Sequence, residues 1–124
     1  MLKNATINKQ SLKKINKSIE KESPQTKIIA VTKTFSIAAA NSAIDNNIFI
    51  LGENRIQEAE KKFYKYKSRK KIELHLIGHL QSNKAKKAVN IFDVIETADS
   101  EKIIKKIIKE AKKIQKKQKI FLQI

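Results

Sequence analysis

The feature that most limits how this chain can fold is a change of hydrophobic period that repeats along it. Short apolar runs that suit buried strands alternate with stretches of helical period. "IIAVT" (28–32) precedes "SIAAANSAI" (36–44), and "IFILGEN" (48–54) precedes "RIQEAEKKFYKY" (55–66). "IELHLIGHL" (72–80) precedes "SNKAKKAVNIF" (82–92), and "DVIET" (93–97) precedes "SEKIIKKIIKEAKKIQKK" (100–117). "KIFLQI" (119–124) opens a fifth apolar run. Parallel strands need a crossover between them, and a helix supplies it. The alternation therefore predicts an α/β fold of about five parallel strands joined by right-handed crossover helices. Such strands fit a small doubly wound sheet, or the first part of a (β/α)8 barrel of ~250 residues. The sequence stops inside an apolar strand, which would leave a central strand uncovered in a complete sheet. A partial barrel is the expectation.

The helical periods carry their own detail. In "SLKKINKSIEK" (11–21), Leu12, Ile15 and Ile19 share a face and Ser11 suits an N-cap. Pro24, the only proline, separates this helix from the first strand. The expected organisation is thus an N-terminal helix and linker over 1–25, then the βα repeats over 26–124. Ser36 suits a cap for a helix carrying Ile37, Ala40 and Ile44, which Asn46 and Asn47 would end. Ile56, Ala59 and Phe63 mark the next helix, and Ala85 and Val89 the one after. In the last, Ile104, Ile107, Ile108, Ala111 and Ile114 form the expected stripe, with lysines on the wet side.

Composition narrows the function classes. A length of 124 residues with 40% hydrophobic residues suits one domain with a core. There is no cysteine, so disulfides, thiolate metal sites and cysteine nucleophiles are excluded. No run approaches the ~20 apolar residues that span a bilayer, and the N-terminus lacks a signal-type apolar core. A cytoplasmic protein without membrane contacts is the expectation. The net charge of +16, taken alone, suggests nucleic acid or an anionic membrane. Yet Arg55 and Arg69 are the only arginines, and arginine is the favoured residue for bidentate phosphate and guanine contacts. A solvated lysine background is the preferred reading, with no nucleic-acid partner.

The polar residues collect at strand ends. Lys33 closes the most core-like run, and its parity matches Ile29 and Val31. In the second run, the parity of Ile48, Ile50 and Gly52 continues to Asn54. His75 stands within the third. Lys33, Asn54 and His75 thus fall at or near the C-terminal ends of neighbouring strands, where parallel α/β folds bind ligands. The two glycines, Gly52 and Gly78, lie in the same segments, where a tight turn or a close approach needs them. His75 and His79 would stand ~13 Å apart along a strand, so a helical zinc pair is not supported and no metal site is expected. Two glycines cannot build a Gly-x-Gly-x-x-Gly or Walker loop. A lysine against an apolar wall is a useful amine, because burial penalises its charged form.

"AVTKTFS" (30–36), "FILGENRIQEAEKKF" (49–63) and "LHLIGHLQSNKAK" (74–86) together resemble the YggS/PROSC family of pyridoxal phosphate homeostasis proteins. The likeness runs on through "VIETADSEK" (94–102) and covers residues from about 26 to 124. It implies a (β/α)8 barrel of the alanine-racemase type, of which this chain supplies the first half. It also implies pyridoxal 5′-phosphate held as a Schiff base on Lys33, with Asn54, His75 and Asn83 flanking it. A role in cofactor homeostasis follows, without catalytic residues, with cofactor-requiring apoenzymes as recipients and a monomer as the full-length form. Family members are about twice this length. Their phosphate cup and the arginine facing the pyridine nitrogen come from the C-terminal half, and neither Arg55 nor Arg69 stands in for that arginine. A truncated gene product or partial sequence is the expectation.

Two rivals remain at this level. A racemase-like enzyme would need a second acid/base, usually a tyrosine from the missing half, and Tyr64 and Tyr66, in a lysine-rich helix end, are poor candidates. A nucleic-acid module would lose affinity steeply with salt. In a salt titration against duplex DNA we expect negligible binding at moderate ionic strength, and a steep log–log loss from tight binding would restore that rival.

Overall fold

The structure, a computed structural model, describes residues 2–124. Helix α1 (Lys9–Glu22) leads into strand β1 (Ala30–Val31), and four βα repeats follow. They are α2 (Ile37–Asp45), β2 (Ile50–Glu53), α3 (Ile56–Phe63), β3 (Glu73–Leu76), α4 (Ala85–Ile91), β4 (Val94–Ala98), α5 (Glu101–Lys113) and β5 (Lys119–Leu122). Short 3-10 turns at Arg69–Lys71 and Ser82–Lys84 precede β3 and α4.

All strand pairs are parallel and the sheet order is β1-β2-β3-β4-β5. That order decides between the two architectures. A doubly wound sheet reverses direction at a switch point and so places helices on both faces. A sequential order with crossovers of one hand places every helix on the same face, as in an arc of a barrel.

The strand registers show which residues share each face. Ala30, Leu51 and Leu74 align, as do Glu53, Leu76 and Ile95. Leu51, Leu74, Leu76 and Ile95 are fully buried on this helix-covered face. They pack with Ala40 and Ala43 of α2, Ala59 and Phe63 of α3, Ala88 and Val89 of α4, and Ile103, Ile107 and Ala111 of α5. The alanines let the helix axes approach the sheet, and each large aliphatic buried this way contributes ~1.5–3 kcal/mol. The opposite, concave face carries Val31, Gly52, His75, Val94 and Lys119 in one register row. No helix covers it.

That one-sidedness corrects the reading of 28–32 as a buried strand. Regular pairing is limited to Ala30–Val31, and Val31 is 49% exposed because its side chain faces the open side. Other boundaries shift for local reasons. Asn8, and not Ser11, caps α1, its carboxamide oxygen accepting the Ser11 N–H at 3.0 Å. Ile15 is exposed, while Leu12 and Ile19 are half-buried. In α5 the stripe is rotated toward Ile103, Ile107 and Ala111, and Ile108 and Ile114 face solvent. The expected cap of α2 holds: Ser36 Oγ accepts the Ala38 N–H, and Asn46 ends the helix with Asn47 at φ 61°.

The N-terminal segment is also part of the fold. Lys3 bridges Phe35 in parallel, its carbonyl accepting the Ser36 N–H at 2.7 Å, and the Ile7 N–H donates to Ser42 Oγ at 2.8 Å.

The rotated stripe gives a direct test. Ile107→Ala should cost ~2–5 kcal/mol of unfolding free energy, whereas Ile108→Ala should stay within about 0.5 kcal/mol of the unsubstituted chain, both read from urea denaturation.

Candidate functional site

The C-terminal ends of β1, β2 and β3 lie side by side. Val31, Gly52 and His75 occupy one register row. Lys33 and Asn54 each lie two residues further along, so they rise together above that row. Lys33 is exposed in the turn after β1, and Asn54 is half-buried at the bend after β2. The expectation of an apolar wall against Lys33 is corrected here, because the concave side it rises from is open in this chain.

His75 is buried one layer below. Its Nδ1 lies 2.6 Å from Glu96 Oε1 and its Nε2 2.7 Å from Glu73 Oε1. Both ring nitrogens are therefore engaged within the chain, and the Phe121 ring meets the imidazole edge-on at 6.3 Å. Asn83 lies exposed in the 3-10 turn Ser82–Lys84. The structure thus brings Lys33 and Asn54 to one edge, sets His75 beneath them and leaves Asn83 on the outer loop.

The glycines serve close approach and not a left-handed turn, since neither has positive φ. A Cβ on Gly78 would stand 2.3 Å from the Asn54 carbonyl oxygen and 2.9 Å from its Cα. Only a glycine lets the β3 exit loop lie against the backbone of Asn54. Thr97 Oγ1 donates to the Gly78 carbonyl at 2.7 Å, which ties the end of β4 to the same point. A Cβ on Gly52 would meet only side-chain methyls, Ile77 Cδ1 at 3.0 Å and Ile29 Cγ2 at 3.3 Å.

A cleft of about 940 Å³ opens along this edge between the loops after β2 and β3. Asn54, Arg55, Gln57, His79, Gln81 and Lys84 contribute to its lining, and Lys33, His75 and Asn83 do not. The "GENRIQE" and "GHLQSNK" strings supply much of the cleft, and Leu2, Ser36 and Ile37 close it on the side of α2.

Sequence reasoning missed a buried charge network beside Lys33. Lys62 of α3 donates to Glu53 Oε1 at 2.5 Å and to the Thr32 carbonyl at 2.8 Å, and lies 3.4 Å from Glu58 Oε1. Thr32 Oγ1 donates to Glu53 Oε1 at 3.1 Å. Burial pushes the Glu53 carboxyl above its usual range, while the Lys62 ammonium and the Thr32 hydroxyl pull it back. The signal available in sequence was the Glu58/Lys62 spacing of four within a helical period.

No family model matches the sequence. Among curated proteins, a pyridoxal phosphate homeostasis protein of Synechocystis sp. is 39% identical over 101 residues, covering 82% of this chain and 46% of that protein. One from Buchnera aphidicola subsp. Schizaphis graminum is 42% identical over 92 residues, covering 74% and 38%. Among solved structures, PipY of Synechococcus elongatus, determined without and with pyridoxal phosphate bound, superimposes with a TM-score of 0.78 at 32% and 34% identity. The chain spans less than half the length of these curated relatives and about half of PipY.

Gly78→Ala should displace the Asn54 backbone and destabilise the chain by ~1–3 kcal/mol, and Gly52→Ala should cost less because methyl groups can give way. Paired denaturation curves and the Asn54 amide NMR shift check the order.

Proposed function

From the premise that the chain belongs, over the part it spans, to the family of pyridoxal phosphate homeostasis proteins, we propose that it contributes the amine-bearing half of a cofactor-holding barrel. In this reading Lys33 anchors pyridoxal 5′-phosphate as a Schiff base, Asn54 flanks it, and the role is intracellular cofactor balance, with apoenzymes that need the cofactor as recipients. The observation that supports it is that Lys33 and Asn54 each stand two residues beyond the paired Val31 and Gly52, at the C-terminal edge of a singly wound parallel sheet.

The residues present fit one end of the cofactor. An exposed primary amine suits the aldehyde, and its neutral form is the nucleophile. The bound cofactor would supply an electron sink and this chain the covalent anchor. The glycines and Arg69 do not match the phosphate end. Neither glycine has the positive φ that a backbone nest uses, and Arg69 is committed elsewhere, 2.9 Å from Asp93 and 2.8 Å from the Ile91 carbonyl.

The tyrosines of this half supply no second acid/base for a racemase-like reaction. Tyr64 is 76% exposed on the outer side. The Tyr66 hydroxyl donates to Asn41 Oδ1 at 2.6 Å, and burial pushes its phenol above the ordinary value. Neither is placed to exchange a proton above Lys33.

Two experiments test the reading. Incubation with pyridoxal phosphate, borohydride reduction and peptide mapping should find Lys33 labelled ahead of the other lysines, with that label lost in Lys33→Ala. An even spread of label over all 26 lysines would sink the anchor. Absorbance titrations should show the 124-residue chain binding the cofactor at least about tenfold more weakly than a full-length relative, for want of phosphate contacts.

A further inference from the structure

The turn that carries Lys33 is held from both sides by one helix. On its N-terminal side, the Thr32 carbonyl accepts a hydrogen bond from Lys62 Nζ at 2.8 Å. On its C-terminal side, the Thr34 N–H donates to Glu58 Oε1 at 2.6 Å. Lys62 and Glu58 are one turn apart on α3 and 3.4 Å from each other. The Lys62 ammonium thus donates to Glu53 and Thr32 and lies within ion-pair distance of Glu58.

Two further facts bear on why the network is there. Thr34 has φ 66°, a conformation that a β-branched residue rarely adopts and that persists only where its surroundings fix it. The pair itself is costly to bury: the Lys62 and Glu53 side chains are 2% and 0% exposed, and Glu53 Oε2 has no partner among the described residues. Well-packed apolar residues often match or exceed the stability of such a pair. What apolar residues could not do is bind the Thr32 carbonyl and the Thr34 N–H.

We propose that Lys62 and Glu58 are positioning residues for the Lys33 amine, fixing the backbone on either side so that this lysine leaves the strand edge in one direction. The proposal rests on the reading of Lys33 as the cofactor anchor. It separates Lys33 from the other exposed lysines by backbone anchoring and not by burial. Covalent chemistry gains when the reacting group is held in place before the partner arrives.

The test uses Glu58→Ala and Glu58→Gln, which leave the deeper Lys62–Glu53 pair intact, so that the chain still folds. Amide hydrogen exchange followed by NMR reads the clamp at Thr34, with the Leu76 amide of β3 reporting global opening. Reductive labelling by pyridoxal phosphate reads the share of label at Lys33. In Glu58→Ala, Thr34 exchange should quicken at least about tenfold with Leu76 unchanged, and the Lys33 share should fall severalfold. Glu58→Gln keeps a carbonyl acceptor and should restore most of both. Unchanged Thr34 exchange in Glu58→Ala would overturn the clamp. Faster exchange with an unchanged Lys33 share would overturn the positioning role while leaving the anchor reading standing. If Lys33 in the unsubstituted chain takes no more label than other lysines, the anchor reading falls and the positioning role falls with it.

Discussion

The constraint on which everything else depends is that the sheet is covered on one face only. Strand side chains alternate, so each strand must satisfy hydrocarbon packing on one side and something else on the other. On the covered side, Leu51, Leu74, Leu76 and Ile95 meet four helices with nothing exposed. On the concave side, the same strands present Glu73, His75, Glu96 and Lys119, a polar set that an apolar barrel floor would not tolerate unpaired. The pairing of His75 with both carboxylates meets that requirement within β3 and β4 alone. The edge that carries Lys33 and Asn54 sits directly above this polar row. The position of the site is thus a consequence of strand parity.

Most of the architecture was legible because the two periods, two and about 3.6, are hard to confuse in strands and helices of this length. What failed did so for identifiable reasons. In α5, isoleucines at 103, 104, 107, 108 and 114 spread over an arc of about 140°, so periodicity alone could not say which part of it faces the sheet. Contact with the alanine-lined α4 selects the arc through Ile103, Ile107 and Ala111. The cap of α1 moved because Asn8 and Ser11 are both good caps and the backbone settled on the earlier one. The docking of residues 3–7 on the start of α2 left no periodic trace, since it uses backbone groups and short polar side chains.

The site was less legible than the fold. Lys33 and Asn54 could be placed at one edge by counting parity, and the structure puts them there. Their surroundings could not be placed, because Glu53, Glu58 and Lys62 are common residue types whose meaning lies in three-dimensional contact. In a chain of 26 lysines, one more lysine carries no information until its burial is known. Lys62 and Lys116 show what was hidden. Lys116 spends its ammonium on the Val89 and Phe92 carbonyls, at 2.6 and 2.7 Å, closing the C-terminal end of α4. Burial pulls its pKa down, with Arg69 adding to the effect and Asp93 opposing it.

The high charge and the role proposed for Lys33 are then compatible. Electrostatics at long range treats the exposed ammonium groups alike and falls off within ~8 Å at physiological ionic strength. It cannot single out one amine for a covalent partner. Discrimination has to come from local geometry, and local geometry differs sharply along this chain. Lysines on α1 and α5 sit on exposed helical faces, where their long side chains sample many rotamers from a regular backbone. Lys33 leaves a two-residue turn at the strand edge, with its neighbours bonded to a buried network and Thr34 held in a strained conformation. Its side chain is as free as the others, but the direction in which it starts is fixed relative to Asn54 and the loop packed against Gly78. For a reaction that needs an amine and a carbonyl to meet at one place, a fixed starting direction is the property that a surface lysine lacks.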